Sequence, residues 1–356
     1  MSYKFKKSIF IVVFAVVVFG CQRKSSWDGS IELKNGIPIV KNHGTPVLAE
    51  LPFNLKEVMR IGGEDLFDEM PLNRVFSAVQ NKAGDIFVSD VGNYRIVQFN
   101  SDGRFAQAFG TRGNGPNEFG AVGGIEIHND SLYAQDTRRM TISKIDVVEK
   151  KILNPVQVGM FGTWGIDQSG NIQMASFLAL SDPESPSMRA YSKTGNVEGE
   201  FRSSYKRITD LNGVGAFPQV HFSEARSYYT WPYPYRVEIL DTNMIPIRSF
   251  ELNDVEFLPP TKPEVVSGMN IGGSLPSQIS NVLEVEGEWI LVEVRYSDIN
   301  KPRRVDVFDL EGKYLSFFQL ESGEGITSYS NGMLWSTING GLRQEVLPFV
   351  LGKELY

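Results

Sequence analysis

One strand-and-turn unit recurs along this chain, and that repeat limits what the chain can fold into. Its clearest copy is Ala83–Phe105. Ile86-Phe87-Val88 is a nearly continuous apolar run, as in a strand covered on both faces. Ile96, Val97 and Phe99 supply a second strand, Asn100-Ser101-Asp102-Gly103 a tight turn, and Phe105 to Phe109 a third strand. Drifted copies place Ile86, Leu132, Ile172, Tyr228, Trp289 and Met333 at equivalent points, in steps of 46, 40, 56, 61 and 44 residues. Sheets repeated every 40 to 50 residues or so belong to arrays or rings. The longer steps hold insertions near 177–186, 203–216 and 254–280.

Six anchors imply six four-stranded blades around an axis. A blade of this kind cannot bury its own faces, so neighbours must sandwich it and the ring must close. The last anchor has little chain behind it, with one strand expected within Leu342–Leu351. Ile37–Ile61 precedes the first repeat and carries strand-like Pro46–Ala49 and Val58–Ile61. The expectation is an all-β, six-bladed β-propeller over residues 37–356, closed by an N-terminal strand in the last blade. Such closure removes two exposed sheet edges.

The first twenty residues read as a secretion signal. Lys4, Lys6 and Lys7 precede the apolar run Ile9–Phe19, and Gly20 and Cys21 follow. The run is shorter than the ~20 residues of a spanning helix. A lone cysteine here resembles a bacterial lipoprotein signal, with Val18 and Gly20 matching and Phe19 departing from its usual pattern. That resemblance implies acylation of Cys21, a membrane partner reached through the lipid, and a tether over residues 21–36. An ordinary secretory signal or an uncleaved anchor is the alternative. The polar and basic start after Cys21 favours an outer-membrane anchor facing the periplasm.

Gly84–Phe99 resembles an NHL-type propeller repeat, through Asp90, Asn93, Arg95, Ile96 and Phe99. Phe109–Phe119 resembles the Gly-x-Gly-Pro-Gly-Glu-Phe link between NHL blades, with Asn117 in place of one glycine. The whole chain resembles six-bladed propeller lipoproteins of the Bacteroidota envelope. Some NHL-type propellers are zinc-dependent lyases with three histidines around the channel. Here His128 and His221 fall before repeat anchors, whereas His43 falls in the N-terminal segment. They read either as turn residues or as part of a metal site.

Composition narrows the function classes. A net charge of −7 disfavours nucleic acid. One cysteine excludes a disulfide framework. No Gly-x-Ser-x-Gly motif occurs, and Gly113-Asn114-Gly115-Pro116 lacks the lysine and strand-to-helix context of a phosphate loop. The expectation is therefore no cofactor and no metal. Candidate ligand-binding residues are Asn93 and Arg95, Arg138 and Arg139, and Trp231, Tyr233 and Tyr235. Asp90 with Arg95 reads as a polar clamp or as an ion pair across a turn, and Asp136 with Arg138 or Arg139 repeats it. Trp231 and Tyr233, held between prolines, read as stacking surfaces or as blade packing. The functional expectation is a lipid-anchored binding or scaffold module that engages a glycan, a peptide or an envelope protein. The alternative is a metal-assisted lyase or hydrolase at the channel mouth.

Overall fold

The computed structural model describes residues 27–62, 71–159, 162–175, 185–203, 218–223, 225–259, 264–266, 269–271, 277–298, 300–340 and 343–352. The signal, Cys21 and the start of the tether lie outside the described residues.

The described residues form six blades. The first comprises Val75–Gln80, Ile86–Asp90, Arg95–Phe99 and Phe105–Phe109, and the second Val122–His128, Ser131–Asp136, Thr141–Asp146 and Lys151–Gln157. Trp164–Ile166, Ile172–Ala175, Met188–Tyr191 and Val197–Phe201 make the third. The fourth is Gln219–Phe222, Ser227–Thr230, Arg236–Leu240 and Pro246–Leu252, and the fifth Gln278–Val285, Trp289–Arg295, Arg304–Asp309 and Tyr314–Gln319. Glu324–Ser330, Met333–Gly340 and Arg343–Gly352 belong to the sixth. Every anchor inferred from the repeat opens, or sits one residue inside, the second strand of its blade. Those strands bury both faces, which is why they read as continuous apolar runs.

The first strand of each blade is innermost, and it touches its counterpart in the next blade all the way round, the sixth returning to the first. Its inner edge has no further strand to pair with, so side chains stitch neighbouring blades together. Ser77 Oγ accepts from Ile125 N–H (3.0 Å), and Ser330 Oγ accepts from Gln80 N–H (2.8 Å). Thr163 Oγ1 donates to Pro218 O (2.7 Å), and Asn281 Nδ2 donates to Ile326 O (3.0 Å). The buried Glu293 accepts from Ile326 N–H (2.6 Å), Ser280 Oγ (2.8 Å) and Arg303 (2.6 Å).

The N-terminal segment does close the ring. Asn54–Glu57 pairs antiparallel with Phe349–Gly352, and Ile61–Gly62 pairs with Glu345–Val346. Within that segment, Pro46–Ala49 is no strand. It lies instead along the edge of the fifth blade, donating from Val47 to Tyr314 O (3.2 Å) and from Leu48 to Leu315 O (2.8 Å).

The tether expectation needs correcting at its C-terminal end. Gly29–Lys34 is a strand, paired antiparallel with Ile37–Asn42 across Asn35-Gly36, both at positive φ. Asn-Gly between alternating apolar residues is a strong hairpin signal, one that a spacer reading overlooks. The hairpin docks parallel on Ser249–Leu252, covering the outer edge of the fourth blade. Asn42 locks it in place. Its Nδ2 donates to Glu251 O (3.0 Å) and Gly312 O (2.9 Å), and its Oδ1 accepts from Tyr314 N–H and Trp27 Nε1, both at 2.9 Å. These bonds join the hairpin to the fourth and fifth blades. Asn42→Ala leaves several buried groups unpaired, so chemical denaturation should show a loss of about 1–3 kcal/mol.

Candidate functional site

The six inner strands enclose a central channel of about 540 Å³, to which each blade contributes lining. Its lining includes Val91, Thr137, Gly162 and Thr163 on the face where the second-to-third-strand loops and inter-blade links cluster. The lining is largely apolar and uncharged polar, with Ser77, Gln135, Gln219 and Ser280 among its polar members.

Gly123-Gly124 shapes one wall. A Cβ on Gly124 would lie 3.3 Å from Trp164 Nε1 and 3.4 Å from Phe76 Cε1, a tight fit, so glycine is what lets the rings of the first and third blades close in over this strand. Phe76 is 58% exposed, an unusual value for an inner-strand aromatic, and its exposed surface belongs to the channel lining. Trp164 is 8% exposed, and its indole N–H has no hydrogen-bond partner among the described residues.

Glu126 lies two residues along the same strand from Gly124, hence on the same strand face. It is half-buried in the channel wall, and desolvation there pushes its carboxyl up to about 8. No described residue hydrogen-bonds or ion-pairs with it. The buried carboxylates Asp90, Asp136, Glu238, Glu293, Asp306 and Glu324 are, by contrast, all hydrogen-bonded. His221 also lines the channel, and burial lowers its ring to about 4, keeping the imidazole neutral. Arg74 stands at the rim. Among the described residues, no three His, Cys, Asp or Glu side chains group closely enough to share a metal ion.

The candidates from sequence mostly have tasks within the fold. Asp90 pairs with Arg95 Nε at 2.7 Å and accepts from Asn93 Nδ2 (2.9 Å) and Asn73 N–H (2.8 Å). Arg95 and Asn93 also reach Pro71 O. The second blade repeats the device: Asp136 accepts from the N–H groups of Gly120, Ala121, Arg138 and Arg139. Arg139 Nε lies 3.6 Å from Asp136, and its guanidinium donates to Glu118 O and Gly113 O. Each aspartate thus anchors a loop, which is the ion-pair reading. Arg138 is exposed, with no side-chain ion pair among the described residues.

The aromatic patch does not form a free platform. Trp231 is 8% exposed and packs with Phe201 and Tyr229. Tyr235 is 4% exposed and donates to Asp306 (2.7 Å), where Tyr314 (3.1 Å) and Arg304 (3.0 Å) converge. Tyr233 is half-buried and stacked on Phe257 at 5.6 Å. The rings are packed because the fourth blade is sandwiched, Trp231 against the third blade and Tyr235 against the fifth. His128 Nε2 lies 2.8 Å from Asn129 Nδ2, at the turn.

Sequence reasoning passed over Phe76, Trp164 and Glu126. The available signal was a single acid between Ile125 and Ile127 on a strand that had to line the ring.

Comparison with known proteins bears on the fold. Residues 68–153 match the DUF5128 family, described as a 6-bladed beta-propeller. The crystal structure of a protein described as exported, from Bacteroides fragilis, is similar with a TM-score of 0.58 at 13% identity, covering 88% of this chain and 100% of that one. A DUF4221 family member from Bacteroides vulgatus has a TM-score of 0.56 at 12% identity, covering 85% and 99%. The PQQ-bound aldose sugar dehydrogenase of Streptomyces coelicolor has a TM-score of 0.52 at 12% identity, covering 84% and 98%. No curated protein matches the sequence. The chain has the propeller fold.

The channel acid gives the fold a pH signature. Glu126 retains its proton in the folded chain from its ordinary value of 4.5 up to about 8, while the unfolded chain has lost it. Its contribution therefore favours folding below pH 4.5 and is lost as pH rises through about 8. His221 acts oppositely, its neutral state costing stability as pH falls from 6.5 to about 4. Both proteins in a comparison of wild type with Glu126→Gln share His221, so its effect cancels. Thermal melts should show the Glu126→Gln advantage growing from pH 4.5 to 8 and levelling above.

Proposed function

We propose that this chain is a lipid-anchored binding module of the cell envelope, taking a glycan or peptide ligand at the channel mouth on its loop-rich face. The observation that carries this reading is the open channel, walled by six strands, in which the exposed Phe76 ring, backed by the largely buried Trp164, faces the cavity. Aromatic rings beside uncharged hydrogen-bonding groups suit a ligand that is part apolar and part polar. The exposed Arg138 adds a contact on the same face, open to a ligand or an envelope protein.

The envelope location draws on the basic, apolar and cysteine-ended N-terminus and on the exported description of the Bacteroides fragilis relative. The lipid on Cys21 and the outer-membrane anchor facing the periplasm belong to the same proposal. Cys21→Ser should move the protein from the membrane to the soluble fraction.

Glycan and peptide arrays probed with the soluble domain test the binding reading. Ligands captured by wild type should lose about tenfold or more in affinity with Phe76→Ala or Trp164→Ala, consistent with loss of an aromatic anchor. Arg138→Ala should weaken binding less. Retention of binding in both aromatic variants would contradict a channel site.

A further inference from the structure

We propose that the channel is a site for an organic ammonium ligand, its apolar body lying against the exposed ring of Phe76 and its charged nitrogen paired with Glu126. The inference rests on the channel-ligand reading above and names the chemistry of the ligand.

Three independent features converge on it. The first is an accessible cavity large enough for a small organic molecule. The second is the unpartnered carboxyl: this fold supplies donors to its other buried carboxylates, yet provides none among the described residues for Glu126. A half-buried carboxyl without a protein partner is left to the channel, and a cation that enters can pair with it. The third is the exposed ring of Phe76, which lies against Gly124, two residues and about 7 Å along the strand from Glu126. Aromatic faces beside a carboxylate are the means by which proteins hold organic ammonium groups. A purely neutral sugar would use the rings and leave the acid idle.

The surrounding charges are compatible. The first blade presents Arg74, at the rim rather than at the level of the rings. Tyr133, on the adjacent strand of the second blade, is the register partner of Glu126. His128 follows on the same strand, the fourth blade presents His221, whose ring burial keeps neutral, and the sixth presents Tyr329, whose hydroxyl donates to Glu286 (2.5 Å). Among the lining residues, no lysine competes for the carboxyl.

Binding then exchanges a proton for the ammonium. Near neutrality Glu126 holds its proton, so a bound cation drives one proton into solvent and the Glu126–ammonium pair remains. The test uses 2-phenylethylammonium and its neutral counterpart 2-phenylethanol, titrated calorimetrically into the protein in two buffers of different ionisation enthalpy. The ammonium should bind at least about tenfold tighter than the alcohol at pH 8, release about one proton at pH 7, and gain close to tenfold in affinity per pH unit from pH 6 to 7. Glu126→Gln should abolish both the preference and the proton release while remaining folded. Equal affinity for the two probes, unchanged in Glu126→Gln, would overturn the ammonium assignment yet leave the channel a binding site. Failure of both probes to bind overturns this inference as well, while the array experiment separately decides whether the channel binds anything else.

Discussion

The inner edge of each blade is the constraint on which the structure depends. An edge strand presents unpaired amide and carbonyl groups, and six such edges face one another around the axis. Ser77, Thr163, Asn281, Glu293 and Ser330 satisfy part of that edge from the neighbouring blade. Because each stitch needs the next blade in place, the ring is stable only when complete. The N-terminal strand therefore forms part of the core: without Asn54–Glu57, the sixth blade would end on the open edge of Arg343–Gly352.

The same geometry explains why a binding site appears at the axis. Strands arranged around a centre cannot all pack against one another there, and a cavity remains. Its walls come from strands whose other faces are committed to blade packing, so only residues at selected positions meet the cavity. Gly124, Phe76, Trp164 and Glu126 occupy such positions in three consecutive blades. The contrast between Glu293, with its three donors, and Glu126, with none among the described residues, separates a structural acid from one left available.

Much of the architecture was legible in the sequence because blade second strands are buried on both faces. That burial leaves a repeating apolar signal, and Ile86, Leu132, Ile172, Tyr228, Trp289 and Met333 mark it. The closing role of the N-terminus followed from a missing strand in the sixth blade. The local pairing was less readable: Asn35-Gly36 joins a hairpin that the polar composition around it disguised as spacer. The site was the least legible part. Trp231 and Tyr235 look like ligand aromatics in one dimension, but Trp231 is buried against the third blade and Tyr235 against the fifth, contacts far away in sequence. Asp90 with Arg95 was readable as a pair because its partners are local.

The central claim is that the front of the domain completes the last blade in a fixed register, with Leu55 opposite Leu351. Paired residues in adjacent antiparallel strands lie about 4.5–5.5 Å apart at Cα, within reach of a disulfide. Cysteines placed at both positions in a Cys21→Ser background give the direct measurement, read by mass spectrometry and by mobility under non-reducing conditions. The account predicts an intrachain Leu55→Cys–Leu351→Cys bond in the folded monomer, absent when the partner is moved to Leu33→Cys. A folded monomer whose two thiols stay free under oxidising conditions would contradict it.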